Sequence, residues 1–207
     1  MAEWASQFEG EHGATELVGL AVDSRGDVTL AGHVFEDAGG FMDGRKDAII
    51  MKLASSDGST LWTRNIGVTG SHDWSSAVAA DLNGNLFVGG QTDGAIFAPA
   101  AGDGQQDIWV VKLDGVAGEL VWGYQASVGS RGQDVASTLT VDNTYDGDVV
   151  VCGSTTGELF QDPNFVDEGG GDASEYNGAW ERGTEAFCAK LAGADGMVIW
   201  GIRLQGA

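Results

Sequence analysis

Cysteine is scarce in this chain of 207 residues: Cys152 and Cys188 are the only two. Two thiols exclude a multi-bridge disulfide framework and a cysteine-rich zinc cluster. Basic residues are also few, 10 Lys and Arg against 31 Asp and Glu, for a formal net charge of −21. Such a surface repels phosphate backbones and anionic lipid, which argues against nucleic-acid or membrane-surface binding and favours cations or basic partners. No apolar run approaches the roughly 18 residues of a membrane-spanning helix. The opening MAEWASQFEG has neither the basic nor the apolar region of a signal peptide, so the chain as it stands carries no address. There is no G-x-S-x-G, no H-E-x-x-H and no G-x-x-x-x-G-K. The three histidines, His12, His33 and His72, are expected in loops or at strand ends, and the carboxylates are too numerous to single out an acid/base pair.

A sixteen-residue unit recurs three times without a gap: DAIIMKLASSDGSTLW (Asp47 to Trp62), DIWVVKLDGVAGELVW (Asp107 to Trp122) and EAFCAKLAGADGMVIW (Glu185 to Trp200). Each opens with an acid, has Lys-Leu at its sixth and seventh places, Gly at its twelfth and Trp at its sixteenth. Two apolar runs around a turn-rich stretch predict a hairpin. A second repeated stretch precedes it: VGLAVDSRGDVTLAG (Val18 to Gly32), SAVAADLNGNLFVGG (Ser76 to Gly90) and LTVDNTYDGDVVVCG (Leu139 to Gly153). Each reads as strand, Asp-rich turn and strand. The repeat is therefore four strands, a to d, and Trp4 marks a lone d strand ahead of the first set.

With 43% apolar residues the chain can bury a core. Strand c is apolar on both faces, and the sequence has no amphipathic helix of ten residues to cover it. The neighbouring repeat must therefore be the cover. Four-stranded antiparallel sheets stacked in sequence are the blades of a β-propeller. A parallel β-helix has shorter coils and would not need hairpins. The expected division is an outer strand at 1–9, blades at 10–67, 68–128 and 129–207, and a long, exposed acidic loop at 154–184, all in one domain. Three blades are fewer than the roughly four to eight of a closed ring. The expectation is an all-β, incomplete array cut from a longer one, which self-associates or takes further blades on its bare outer faces.

Particular residues carry particular expectations. Trp62, Trp122 and Trp200 should be wedges between blades, with the indole N–H bonded to backbone. Three of the four lysines, Lys52, Lys112 and Lys190, share one repeat position. Each either reaches an acid, with Asp23, Asp81 and Asp142 as candidates, or is a solvated strand-end lysine. Asp142, Asp146 and Asp148 either hold calcium or form a plain hairpin turn. Cys152 and Cys188 lie on strands b and c of the third repeat, nearly opposite each other, as a disulfide or as buried thiols.

The stretch GLAVDSRGDVTLAG followed by DAIIMKLASSDGSTLW resembles the bacterial β-propeller repeat of the SBBP type, with its strand-turn-strand and DAFVAKL pattern. The interval from the Leu of each Lys-Leu pair to its Trp is similar to the tryptophan-docking repeat of quinoprotein-like (PQQ-type) propellers, where Gly lies four residues before Trp. The resemblance implies a propeller fold and, for the first family, a secreted or surface protein of mostly unassigned function. It transfers no catalytic residue and no cofactor, and the quinoprotein metal site finds no match. The functional expectation is a non-enzymatic module whose blade loops bind a protein, small molecule or carbohydrate. The alternatives are part of a propeller enzyme whose active site lies outside this segment, or a purely structural repeat.

Overall fold

The computed structural model describes residues 4–5, 15–35, 45–97, 106–126, 133–144, 147–156, 164–167 and 184–204. It is all-β, with three stacked antiparallel sheets. The first holds β1 (Thr15–Val22), β2 (Val28–Phe35), β3 (Lys46–Leu53) and β4 (Thr60–Ile66), in that order. The second holds β5 (Asp73–Ala80), β6 (Leu86–Thr92), β7 (Asp107–Leu113) and β8 (Leu120–Gln125). The third holds β9 (Asp134–Asp142), β10 (Asp148–Thr155), β12 (Glu185–Leu191) and β13 (Val198–Leu204), and β11 (Phe165–Asp167) pairs parallel to β13 on its outer edge.

Tight turns enforce this meander. In the first and second sheets the a–b turn closes through an Asp backbone N–H onto the residue four further on, Asp23 to Asp27 at 3.0 Å and Asp81 to Asn85 at 2.9 Å. The c–d turns are closed by the same pair of bonds three times, as in Asp114 N–H to Glu119 O and Gly118 N–H to Asp114 O, both 2.8 Å. The register places each Lys of β3, β7 and β12 opposite the Trp of the next strand: Lys52 and Trp62, Lys112 and Trp122, Lys190 and Trp200.

The sheets stack as blades of an unclosed propeller-like array. β5 packs on β1, β2 and β3, and β9 packs on β5, β6 and β7, so the a strand of each sheet lies against the sheet before it. Between the first two sheets Ala31, Ala48, Ile50 and Ile66 meet Leu86, Val88, Trp109 and Val111. Between the second and third, Phe87, Ile108, Val110 and Trp122 meet Leu139, Val151, Phe187 and Ala189. This explains strand c: β7 is buried along its whole length because both of its faces are inside a junction. Polar bonds pin the same junctions, from Ser75 Oγ to Gly32 O (2.6 Å) and from Gln91 Nε2 to Ala136 O (2.8 Å).

Some expectations need revision or fall outside these residues. β11 was not foreseen, because its three residues lie in an acid-rich and glycine-rich segment without strand alternation. His33 is not at a loop but inside β2, and is buried. Most of the 154–184 loop, His12, Asp146 and the strand expected around Trp4, apart from Trp4 and Ala5, lie outside the described residues.

Candidate functional site

The a–b and c–d turns gather at one end of the stack, where the N–H of Ser55 donates to Asp27 Oδ1 at 3.0 Å. This end holds the repeat lysines and tryptophans and the described turn acids singled out in the sequence. The last Asp of strand a, Asp23, organises its turn by accepting the N–H groups of Arg25 (2.9 Å) and Asp27 (3.0 Å) on Oδ1. Its other oxygen, Oδ2, accepts Lys52 Nζ at 2.7 Å, in a pair whose two side chains are buried. Burial alone would raise the Asp23 pKa, but the Lys52 bond, the two N–H donors and the lysine charge outweigh it and hold the group below the ordinary carboxylate value.

Lys52 also crosses to the next blade, donating to Gly115 O at 2.6 Å. Lys112 does the same towards the third sheet, to Gly193 O at 2.7 Å. Gly115 and Gly193 occupy the same place in their c–d turns, so one cation per junction bolts a blade to the turn of its successor. Lys190 has no successor in the chain; it lies 2.7 Å from Asp142 Oδ2 and 3.1 Å from Asp148 Oδ2. Its bonds to those two carboxylates raise its pKa, while Asp142 is driven well below the usual range, first by Lys190 and then by Thr144.

Lys112 does not reach Asp81. The side-chain amide of Asn85 donates to Asp81 Oδ2 at 2.8 Å, taking the oxygen that Asp23 and Asp142 offer to their lysines. Asp27 and Asp148 stand at the place of Asn85 and, being acids, cannot donate in this way. Lys112 instead lies over the Phe87 ring, 5.2 Å from its centroid, and makes no ion pair among the described residues.

The tryptophans occupy a matching set of docks. The ring of Trp62 lies on Gly118 and that of Trp122 on Gly196, each the twelfth residue of the following unit. A Cβ there would stand 2.8 Å and 2.7 Å from ring carbons, and φ is +69° and +77°. Glycine is thus required twice over, by the left-handed backbone and by the ring pressed on it. Trp122 Nε1 donates to Gly193 O at 3.0 Å. Trp62 Nε1 is buried with no partner among the described residues. Trp4 docks on Gly58 in the same manner, with Nε1 donating to Ser55 O at 3.1 Å. Trp200 docks on no turn among the described residues and is 39% exposed.

The acid-rich turn of the third repeat is internally occupied. Asp142 Oδ1 accepts from Thr144, Asp148 Oδ1 accepts the N–H of Gly193 at 3.0 Å, and Lys190 stands between the two carboxylates. Among the described residues no three His, Cys, Asp or Glu side chains converge as metal ligands. Cys152 and Cys188 are directly opposite on β10 and β12, with Cα atoms 4.1 Å apart, and are joined as a disulfide.

At the opposite end lies a group with no signal in the repeat pattern. His33 is edge-on to Phe35 at 5.5 Å, with Nε2 3.2 Å from Glu16 Oε2, and Lys46 stands over Phe35. Burial, then the charge of Lys46, lowers the His33 pKa, and Glu16 offsets this only in part. Nearby, Asp73 takes the N–H of Val68 (2.9 Å), the hydroxyl of Ser71 (2.6 Å) and that of Thr92. Asp134 repeats the motif with Thr155 at 2.6 Å. These acids hold turns and strand ends together.

Among curated proteins none matches the chain. Residues 61–98 match the family model of the β-propeller repeat, SBBP. The matched segment begins in β4 and runs through β5 and β6, across the boundary where Trp62, Lys52 and Asp23 meet the next blade. Over residues 61–98 the chain is therefore similar to the SBBP β-propeller repeat, and its three stacked four-stranded sheets form a propeller-like array.

Proposed function

We propose that this module is a non-catalytic binding scaffold whose rigid, acidic turn end receives a protein partner with a basic surface. The observation that carries the reading is the division of labour among its acids. Asp23, Asp81, Asp142 and Asp148 hold lysines and turns, which leaves no poised acid/base pair at this end among the described residues. Asp57, Asp114 and Asp195, one in each c–d turn, lie at or near the surface. Their orientation is set by backbone N–H groups: Ser59 to Asp57 (2.9 Å), Val116 and Ala117 to Asp114 (2.8 Å each) and Met197 to Asp195 (3.0 Å). Those donors keep Asp57 and Asp114 below the ordinary carboxylate pKa. A preorganised array of charges of one sign, within a net charge of −21, steers cationic partners.

The test is titration of the chain with a lysine-rich peptide at low salt. The combined Asp57→Asn, Asp114→Asn and Asp195→Asn variant is compared with one losing the same charge at the opposite end through Glu16→Gln, Asp93→Asn and Glu185→Gln. The reading expects the turn-end variant to bind at least about fivefold more weakly than the control, against a charge pair worth about 0.2–1 kcal/mol at each exposed site. Equal weakening of the two would show diffuse attraction and remove the reading.

A further inference from the structure

Two sheet faces of this chain are exposed although their counterparts within the same chain are buried. On the third sheet, Ala186 and Cys188 of β12 and Trp200 and Leu204 of β13 stand at the surface or half-buried. The residues at the same repeat positions, Ala48, Ile50 and Ile66 in the first sheet and Ile108, Val110, Trp122 and Ala126 in the second, are buried against the following blade. On the first sheet the opposite face is partly open. Leu20 is 68% exposed and Leu30, Ile49 and Met51 are half-buried, while Val88, Trp109 and Val111 of the second sheet and Leu139, Val151, Phe187 and Ala189 of the third are buried at those places.

We propose that these faces are the two halves of one interface, and that the third sheet of one copy of this chain docks on the first sheet of a second copy, head to tail. The occupant follows from an interface already made twice within the chain. Its elements are an apolar face, a Trp on the twelfth-place glycine and a lysine to the ninth-place carbonyl. The third sheet presents the donor half through Trp200, Lys190 and Leu204. The first sheet presents the acceptor half through Gly58, the Ser55 carbonyl and Leu20. In the single chain Trp4 fills the Gly58 dock, so Trp200 of the incoming copy takes the place of Trp4 there. Because both partners carry −21, repulsion opposes the contact at low salt, and screening strengthens it.

Complementary blocking of the two halves provides the test. Leu20→Asp disables the acceptor face and Leu204→Asp the donor face, and both side chains are already exposed, at 68% and 52%, so the fold should survive; a circular-dichroism melt checks this. In light scattering at micromolar to tens of micromolar chain and about 0.5 M salt, each variant alone is expected to remain monomeric. Their mixture should double in mass and stop there, since one junction is left per pair. Trp4→Ala should tighten wild-type association and Trp200→Ala should weaken it. A mixture that stays monomeric overturns the proposal. So does a single blocked variant that still dimerises, which would indicate a face pairing with itself.

Discussion

Replacing Lys52 by Met should be far more damaging than the same replacement at Lys112, although the two lysines hold one repeat position. Lys52→Met keeps most of the aliphatic stem but strips Asp23 of its buried counter-ion and Gly115 O of its donor. Removing one partner of a buried pair is worth about 3–5 kcal/mol. The two N–H groups still held by Asp23 Oδ1 place the expected loss at the lower end, about 3 kcal/mol. Lys112→Met orphans no carboxylate, because Asp81 is satisfied by Asn85. It loses one charged hydrogen bond, worth about 1.5–3 kcal/mol, and gains the desolvation relief of removing a buried ammonium, so the net change should lie within about 1 kcal/mol. Urea unfolding followed by tryptophan fluorescence, with equal m-values, reads both. Adding Asp23→Asn to Lys52→Met should recover stability, with a coupling energy of about 2 kcal/mol. Equal losses at the two lysines, or a coupling below about 0.5 kcal/mol, would refute the argument that Asn85 releases Lys112 from pairing.

Trp122→Ala should cost about 3–5 kcal/mol in the same unfolding assay, and Trp200→Ala less than about 1 kcal/mol in the monomer, since only the first is buried in a junction. The Cys152–Cys188 disulfide spans 36 residues, for which loop-closure entropy gives about 4 kcal/mol; replacing both cysteines by Ser should lower stability by about 2–4 kcal/mol without changing the far-ultraviolet spectrum. For His33 the folded-state pKa lies below its ordinary value of 6.5, so the unfolded chain binds the proton first. Its contribution is full above pH 6.5 and is lost as pH falls through the folded pKa. His33→Gln should flatten that part of the stability curve, and an unchanged slope would place the titration elsewhere.

The repeat was legible in the sequence because its physics is local. The Asp-x-x-Gly turns, the Lys-Leu step, the Gly four places before Trp and the two-sided apolar c strands each state what their own few residues must do. Together they require stacked four-stranded sheets. Proximity of Cys152 and Cys188 follows from the same register, while the bond itself depends on the disposition of the two side chains across β10 and β12. What the sequence could not decide is how a residue is shared between blades. Lys52, Lys112 and Lys190 are identical in pattern, yet one is bolted to an acid and a carbonyl, one to a carbonyl alone and one to two acids. The difference comes from a single side-chain amide at Asn85 and from whether another turn lies above the lysine, both of which are distances in space rather than in sequence. His33 had no signal for the same reason: nothing local requires burial of that ring, and its neighbours Glu16 and Lys46 come from the two strands that flank β2. The sequence by itself determined the blade, and the tertiary structure decided the junction, because strand pairing is set by neighbours in the chain and blade stacking by side chains about sixty residues apart.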